Sequence, residues 1–530
     1  MGKNNTMLSQ GIILIIANII VRFFGFIYRI PLANMMGDEG NAIYASSYNI
    51  YYFFLIISSA SMPAVISKLV SERVAKKRYA DAHKVYRVAL TISTCLGFIF
   101  AVFLFVQADF IEDILRTEGT SLSIRVLAPT VFIVSLLASF RGYFQGLKNT
   151  VPTAISQVIE QVVNAVVSLI GAYFLIKYSA AYGAAGSTLG TLFGACAGFI
   201  TVYIIYLRNK KSIIKKVKLS KAKESGRDIV KAIFLTALPI IVGTAIFALT
   251  NILDNIMSMA RLEASGAFTY SESVSLYGQL TGKFLVLTNL PISIATVFSA
   301  SVIPSLAELR VHKRYREINR SINIAIKTVM IIAIPAAVGL TVLAKEIYLF
   351  LYPNYPDGYM IMYVGGISII IIAFNQIIVS VLQGLNRLYL PLISTIVCVI
   401  IKTVLNYLLI AIPSVNIIGA AISTIVSYFI FLILDLYFLK RVVKTKIRYD
   451  IVFIKPLIAS TAMGILCFVL NKLLFALTNS NTFSLLVTIS VSVIFYFGFL
   501  VFIGSLSEKA LRKVPKGYIL VNICKKIKIL

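Results

Sequence analysis

Two arginines stand seven residues apart in a stretch that otherwise belongs in lipid: IILIIANIIVRFFGFIYRIPLANMMG carries Arg22 and Arg29. A guanidinium at mid-bilayer costs about 2.5–3.5 kcal/mol on insertion scales, so such a group turns toward a cavity or a partner. Seven residues are two helical turns, about 10 Å, and bring both side chains to nearly one face. Gly25 lies between them and leaves a notch without a side chain, where something bulky can approach. This two-cation stripe suits an anionic group entering from solution. The competing reading is that one arginine snorkels to a headgroup and the other pairs with an internal carboxylate.

Other polar residues in apolar runs extend the set. Lys283, in LYGQLTGKFLVLTNLP, would bring a third cation from the second half of the chain. Together the three would converge on phosphate, arginine as a planar fork and lysine as a point charge. Alternatively Lys283 snorkels at the outer end of its helix. Glu160, in AISQVIEQVVNAVV, is the carboxylate well inside an N-terminal span, and either pairs with a helix-1 arginine or carries a proton. Lys402 and Asn406 are one turn apart and share a helix face. Asp254 sits at the outer end of its span with Asn251 before it, as a cap or loop residue or as a functional group. Glu160, Lys402, Asn406 and Asp254 are therefore the candidates for charge or ion coupling. His83 and His312 lie in basic loops, and the five cysteines show no ligand-like spacing. With no P-loop, GxSxG or HExxH, neither a metal, a cofactor nor catalysis is expected, and the chain reads as a non-enzyme.

The elements that hold these residues are membrane helices. Of 530 residues 59% are hydrophobic and 13% charged, and the mean hydropathy is +0.89, outside the range of soluble globules. Apolar runs of about twenty residues predict fourteen transmembrane helices, the first at 10–36, the second at 46–67 and the eighth at 277–306. Arg116, Arg125, Lys177, Arg261 and Lys345 fall on one side, and Arg22, Arg29, Lys283, Lys402 and Lys472 within spans. The rest of the 50 basic residues fall on the side of both termini, which the positive-inside rule makes cytoplasmic. The net charge of +29 thus records topology and attraction to anionic headgroups rather than nucleic acid, for which no motif is present.

The chain also repeats itself. SSASMPAVISKLVSERVAKKRY from Ser58 is echoed by FSASVIPSLAELRVHKRY from Phe298, and FQGLKNTVPTAIS from Phe144 by LQGLNRLYLPLIS from Leu382. GAAGST at 183–188 returns as GAAIST at 419–424. Each copy holds an even number of helices, six, so the copies share one orientation about an axis along the membrane normal. The expected organisation is an N-lobe at 1–207, a basic linker at 208–230, a C-lobe at 231–440, two extra helices within 441–505 and a basic tail at 506–530. A cleft between two such lobes is the usual place for a transported substrate.

RFFGFIYRIPLANMMG, SMPAVISKLVSE and FSASVIPSLAE resemble the MOP flippase superfamily, most of all its MurJ and stage V sporulation protein B branch of lipid-linked oligosaccharide flippases. The resemblance runs over essentially the whole chain. It implies a V-shaped cavity in which helix-1 arginines bind the pyrophosphate of an undecaprenyl-linked glycan, peptidoglycan lipid II first among them. It further implies a groove for the lipid tail on helices 13 and 14, alternating access, a monomeric transport unit and a place in the bacterial cytoplasmic membrane. Arg22 falls on the family's first arginine, while Arg29 is displaced by one position from the second, where this chain has Tyr28. Asp38 and Glu39 lie near the place of an outer aspartate. The helix-11 positions at which some relatives bind sodium look like Lys402 and Asn406, which speaks against sodium coupling. Export of another lipid-linked polysaccharide unit, or drug and cation antiport of the multidrug MATE type, are the alternatives.

Overall fold

The computed structural model describes residues 3–312, 314–443 and 446–505. It is 87% helix, with no strand among the described residues. Small residues make this packing possible. On the third helix (Tyr79–Val106) the buried stripe runs through Ala89, Ser93, Gly97 and Ala101, while Phe98, Ile99, Phe103 and Phe105 are exposed. Large side chains outside and small ones inside invert the soluble pattern and fit a lipid solvent. The expected basic tail, 506–530, lies outside the described residues.

Two compact units divide the chain after Gly282. The first contains α1 (Lys3–Leu55), α2 (Met62–Ala75), α3 (Tyr79–Val106), α4 (Ala108–Leu115), α5 (Thr120–Gly146), α6 (Val151–Leu175), α7 (Ala180–Val217), α8 (Gly226–Ala264) and α9 (Tyr270–Gly278). The second contains α10 (Leu285–Val311), α11 (Tyr315–Val342), α12 (Ala344–Leu351), α13 (Tyr359–Gly365), α14 (Ser368–Gly384), α15 (Tyr389–Leu409), α16 (Ile418–Val442), α17 (Lys455–Thr478) and α18 (Asn481–Phe502). A π-helical segment, Gln279–Phe284, runs across the division. Within the first unit α8 and α9 pack on α1. At Gly278 a Cβ would strike the backbone of Asp38, so only glycine admits that approach.

Among the described residues twelve helices are long and apolar enough to cross a membrane, or thirteen when the bent pair α13–α14 counts as one span. That is fewer than fourteen, and the first segment accounts for part of the difference. Ile16–Ala75 runs for 60 residues, roughly 90 Å at 1.5 Å per residue against a core of about 30 Å. The expected loop between helices 1 and 2 is absent; in its place Gly37, at φ 66° and ψ −175°, breaks an otherwise continuous helix. Asn41 Nδ2 donates to the carbonyls of Gly37 and of Ala33, the latter at 3.1 Å, eight residues back. The helix therefore turns back on itself at Gly37.

The basic 208–230 stretch is not a loose linker. α7 continues helical to Val217. Beyond it, Asp81 Oδ1 accepts from the backbone of Lys223 and Glu224 at 2.8 and 3.0 Å. Glu224 pairs with Arg73 and, at 2.8 Å, with Arg78, and its carbonyl accepts from Lys84 at 2.6 Å. Two carboxylates thus clasp the segment to the α2–α3 turn.

Candidate functional site

Arg22 and Arg29 project from the first arm of α1, Arg22 exposed and Arg29 partly buried. The second arm, beyond Gly37, supplies a tyrosine stripe: Tyr44, Tyr48 and Tyr51, spaced four and three residues, share one helix face. Tyr44 and Tyr48 stack at 5.7 Å and 18°, and Tyr48 meets Tyr51 at 5.4 Å. The Arg29 guanidinium lies over Tyr44 and Tyr48, 5.3 and 5.8 Å from their centroids, and Nη2 faces Tyr44 Oη at 3.5 Å. Tyr44 itself belongs to a buried cluster with Tyr28, Leu32, Met36 and Ile43. Tyr52, 42% exposed, is close enough to act electrostatically on Arg22.

α6 packs against α1. A Cβ on Gly25 would meet Gln161 Nε2 at 3.3 Å, so the notch expected for an incoming group is approached by the protein's own amide. Glu160 is set by close packing of α6 on α7. A Cβ on Gly171 would collide with the Gly186 carbonyl, and one on Gly194 would stand 2.7 Å from the Glu160 carbonyl. Glu160 Oε2 accepts from Arg141 Nη2 at 2.6 Å, and Arg141 Nε donates to Ser156 Oγ at 2.9 Å. The pairing expected with a helix-1 arginine is therefore made with Arg141 of α5. Electrostatically, Glu160 also acts on Tyr48 and Tyr51. The site thus offers guanidinium forks, phenolic hydroxyls and amides, a donor set for an oxygen-rich anion.

The remaining candidates fall elsewhere. Lys283 is 1% exposed, and its ammonium donates to the carbonyls of Tyr355 and Asp357 at 2.6 and 3.0 Å, with the Tyr352 ring at 5.8 Å. Its charge is engaged by backbone in the second unit, a correction to the expected phosphate-facing cation. Lys402 and Asn406, 8% and 0% exposed, lie on α15 in the second unit, and neither is without a partner. Asp254 lies on α8 in the first unit, near Tyr277. Its neighbour Asn255, fully buried, donates to Ser46 Oγ at 2.5 Å and ties α8 to α1.

Three groups escaped the sequence reading. The tyrosine stripe carried a signal in its spacing. Arg141 carried a weak one, a cation inside an apolar run. Asp435 of α16 is fully buried, with Ser394 of α15 beside its carboxyl, and an aspartate within FLILDLYFL was a visible anomaly.

Comparison with known proteins places this geometry. Residues 7–310 match the model of a family described as polysaccharide biosynthesis protein. The chain is 26% identical over 427 residues to the lipid II flippase MurJ of Bacillus subtilis (strain 168), covering 77% of this chain and 78% of that one. To the stage V sporulation protein B of the same organism it is 26% identical over 514 residues, 96% and 98% of the two chains. Among solved structures, a lipid II flippase MurJ in an inward closed conformation superposes with TM-score 0.64 at 16% identity, covering 92% of this chain and 98% of that one. An inward-facing multidrug resistance MATE family transporter of the MOP superfamily also gives 0.64, at 15% identity over 80% and 95%. With more than half of its length, residues 7–310, matched by the family model, the chain belongs to the polysaccharide biosynthesis protein family.

Proposed function

We propose that the chain is a flippase that moves an undecaprenyl-pyrophosphate-linked cell-envelope precursor from the inner to the outer leaflet, with peptidoglycan lipid II the foremost cargo. The barrier to such a movement is the burial of phosphate charge and of sugar hydroxyls, each costly without hydrogen-bond partners. Arg22 and Arg29 would supply charge-assisted bonds to the pyrophosphate, while the lipid tail stays in hydrocarbon. In this reading the lobes 1–207 and 231–440 alternate access around the site, joined through 208–230. The helices within 441–505 receive the tail, both termini are cytoplasmic, and the unit is a monomer. Lys402 supplies a fixed positive charge in place of a sodium ion.

One observation carries the reading. Arg29 sits in an apolar helix with tyrosine rings and a hydroxyl as its partners, and these orient a positive charge without cancelling it. The name of one Bacillus subtilis relative, a lipid II flippase, supports the same class of cargo. A cationic drug would be repelled by the stripe that attracts a diphosphate.

Complementation tests the proposal. In a strain depleted of its peptidoglycan flippase, the wild-type chain should restore growth, and Arg22→Ala/Arg29→Ala at equal membrane levels should not. No rescue by wild type removes lipid II as the cargo. Rescue by both chains removes the arginine site.

A further inference from the structure

At the other end of the molecule's chemistry is a cavity of about 540 Å³ in the second unit. Arg320, Asn323, Ile324 and Lys327, spaced three and four residues, form one face of α11. Lys446, Arg448 and Val452 line the opposite wall, and no carboxylate lines the cavity among the described residues. The opposite wall is fixed rather than draped. Asn323 Nδ2 donates to the Lys446 carbonyl at 3.1 Å, and its Oδ1 accepts from the Arg448 backbone at 2.8 Å. Behind it Lys327 donates to the Ser505 carbonyl, and Lys455 to Ile503 at 2.7 Å, the two ammonium groups close enough to repel each other. The acidic residue Asp450 meets Arg448 at 3.4 Å, with both side chains more than half exposed, a contact that solvent screens.

Positive charge is thus gathered in excess around the rim of a cavity whose own wall is almost wholly apolar. Ile324 is 55% exposed beside the cations, and Val452 is 2% exposed at the base. A soluble anion has no use for that wall. A phosphate ester joined to an acyl chain uses both parts. We propose that this pocket binds the headgroup phosphate of an anionic glycerophospholipid, with Arg320, Lys446 and Arg448 around the phosphodiester and the start of an acyl chain on Ile324. The site is separate from the arginine stripe, and its failure would leave the proposed cargo untouched. Its role is to anchor α11, the 446–452 wall and the end of α18 to a charged leaflet.

The test uses the full chain, purified in detergent, stripped of lipid, and offered phosphatidylglycerol or phosphatidylcholine of matched acyl chains, with bound lipid counted by native mass spectrometry. Wild type should retain phosphatidylglycerol roughly tenfold better, since each basic group near an anionic headgroup contributes measurably. Arg320→Gln/Lys446→Gln, which alters two exposed side chains, should fall toward parity. Lys210→Gln/Lys211→Gln, an equal loss of exposed charge on α7, should keep the preference. Equal retention of the two lipids by wild type overturns the proposal. So does an equal loss in both variants, which would mean bulk charge alone. Displacement of phosphatidylglycerol by excess inorganic phosphate would make the pocket a soluble-anion site and overturn it too.

Discussion

Arg29 and Tyr44 touch across fifteen residues of one helix, with the guanidinium carbon 5.3 Å from the ring centroid. In an unbroken helix fifteen residues would separate their Cα atoms by about 22 Å. The reversal at Gly37 closes that gap, so a single backbone conformation creates the wall against which the cation is held. One face of the guanidinium is covered by aromatic rings, and the hydroxyls of Tyr44 and Tyr28 take part of its edge, which leaves others of its five N–H donors for oxygens.

Removing that ring should therefore weaken binding of the anionic cargo without unfolding the arm. A cation–π contact is worth about 0.5–2 kcal/mol, so Tyr44→Leu should lower affinity for the lipid-linked precursor roughly twofold to thirtyfold. Tyr44→Phe keeps the face and should stay near wild type. Thermophoresis on the purified variants reads the difference, and a leucine variant as good as phenylalanine would refute the orienting role.

Arg141 and Glu160 make the second prediction. If the pair is structural, Glu160→Gln retains an acceptor for Arg141 and transport should persist. Glu160→Ala leaves a partly buried guanidinium short of a partner and should cost about 1–3 kcal/mol of stability. The exchange Arg141→Glu/Glu160→Arg should recover part of that loss. Thermal unfolding and flipping in vesicles check both; abolished flipping in a stable Glu160→Gln protein would make the carboxylate a proton carrier instead.

How much of this was legible follows from which contacts are local. Apolar runs and charge asymmetry marked the helices, and Arg22, Arg29 and Glu160 stood out because lipid makes polar groups conspicuous. Glu160's partner was not legible, since it depends on how closely α6 packs on α7 and α5. Lys283 looked like a cavity cation because its two carbonyl partners, Tyr355 and Asp357, come from a loop more than seventy residues away. Gly37 was read as part of a loop before Asp38 and Glu39. Hydrogen bonds persist on both sides, and only its positive φ reveals the reversal.

Asp435 gives the third prediction. A fully buried carboxyl with a single serine hydroxyl beside it leaves part of its desolvation cost uncompensated, about 1–3 kcal/mol for a polar group. Asp435→Leu, similar in size and apolar, should raise the melting temperature in detergent, and Asp435→Asn should change it little. A lower melting temperature for the leucine variant would show that the carboxyl has a partner essential to packing.

The clasp of Asp81 and Glu224 over the 218–225 segment bears on how this protein can be re-engineered. By composition the basic stretch looks like the natural place to open the chain, for a fused reporter or for new termini. An insertion there would have to break the ion pairs of Arg73 and Arg78 and the two backbone bonds to Asp81. Gly266 is the better opening, in the left-handed region at φ 66° between α8 and α9, with nothing within 4 Å of where a side chain would begin.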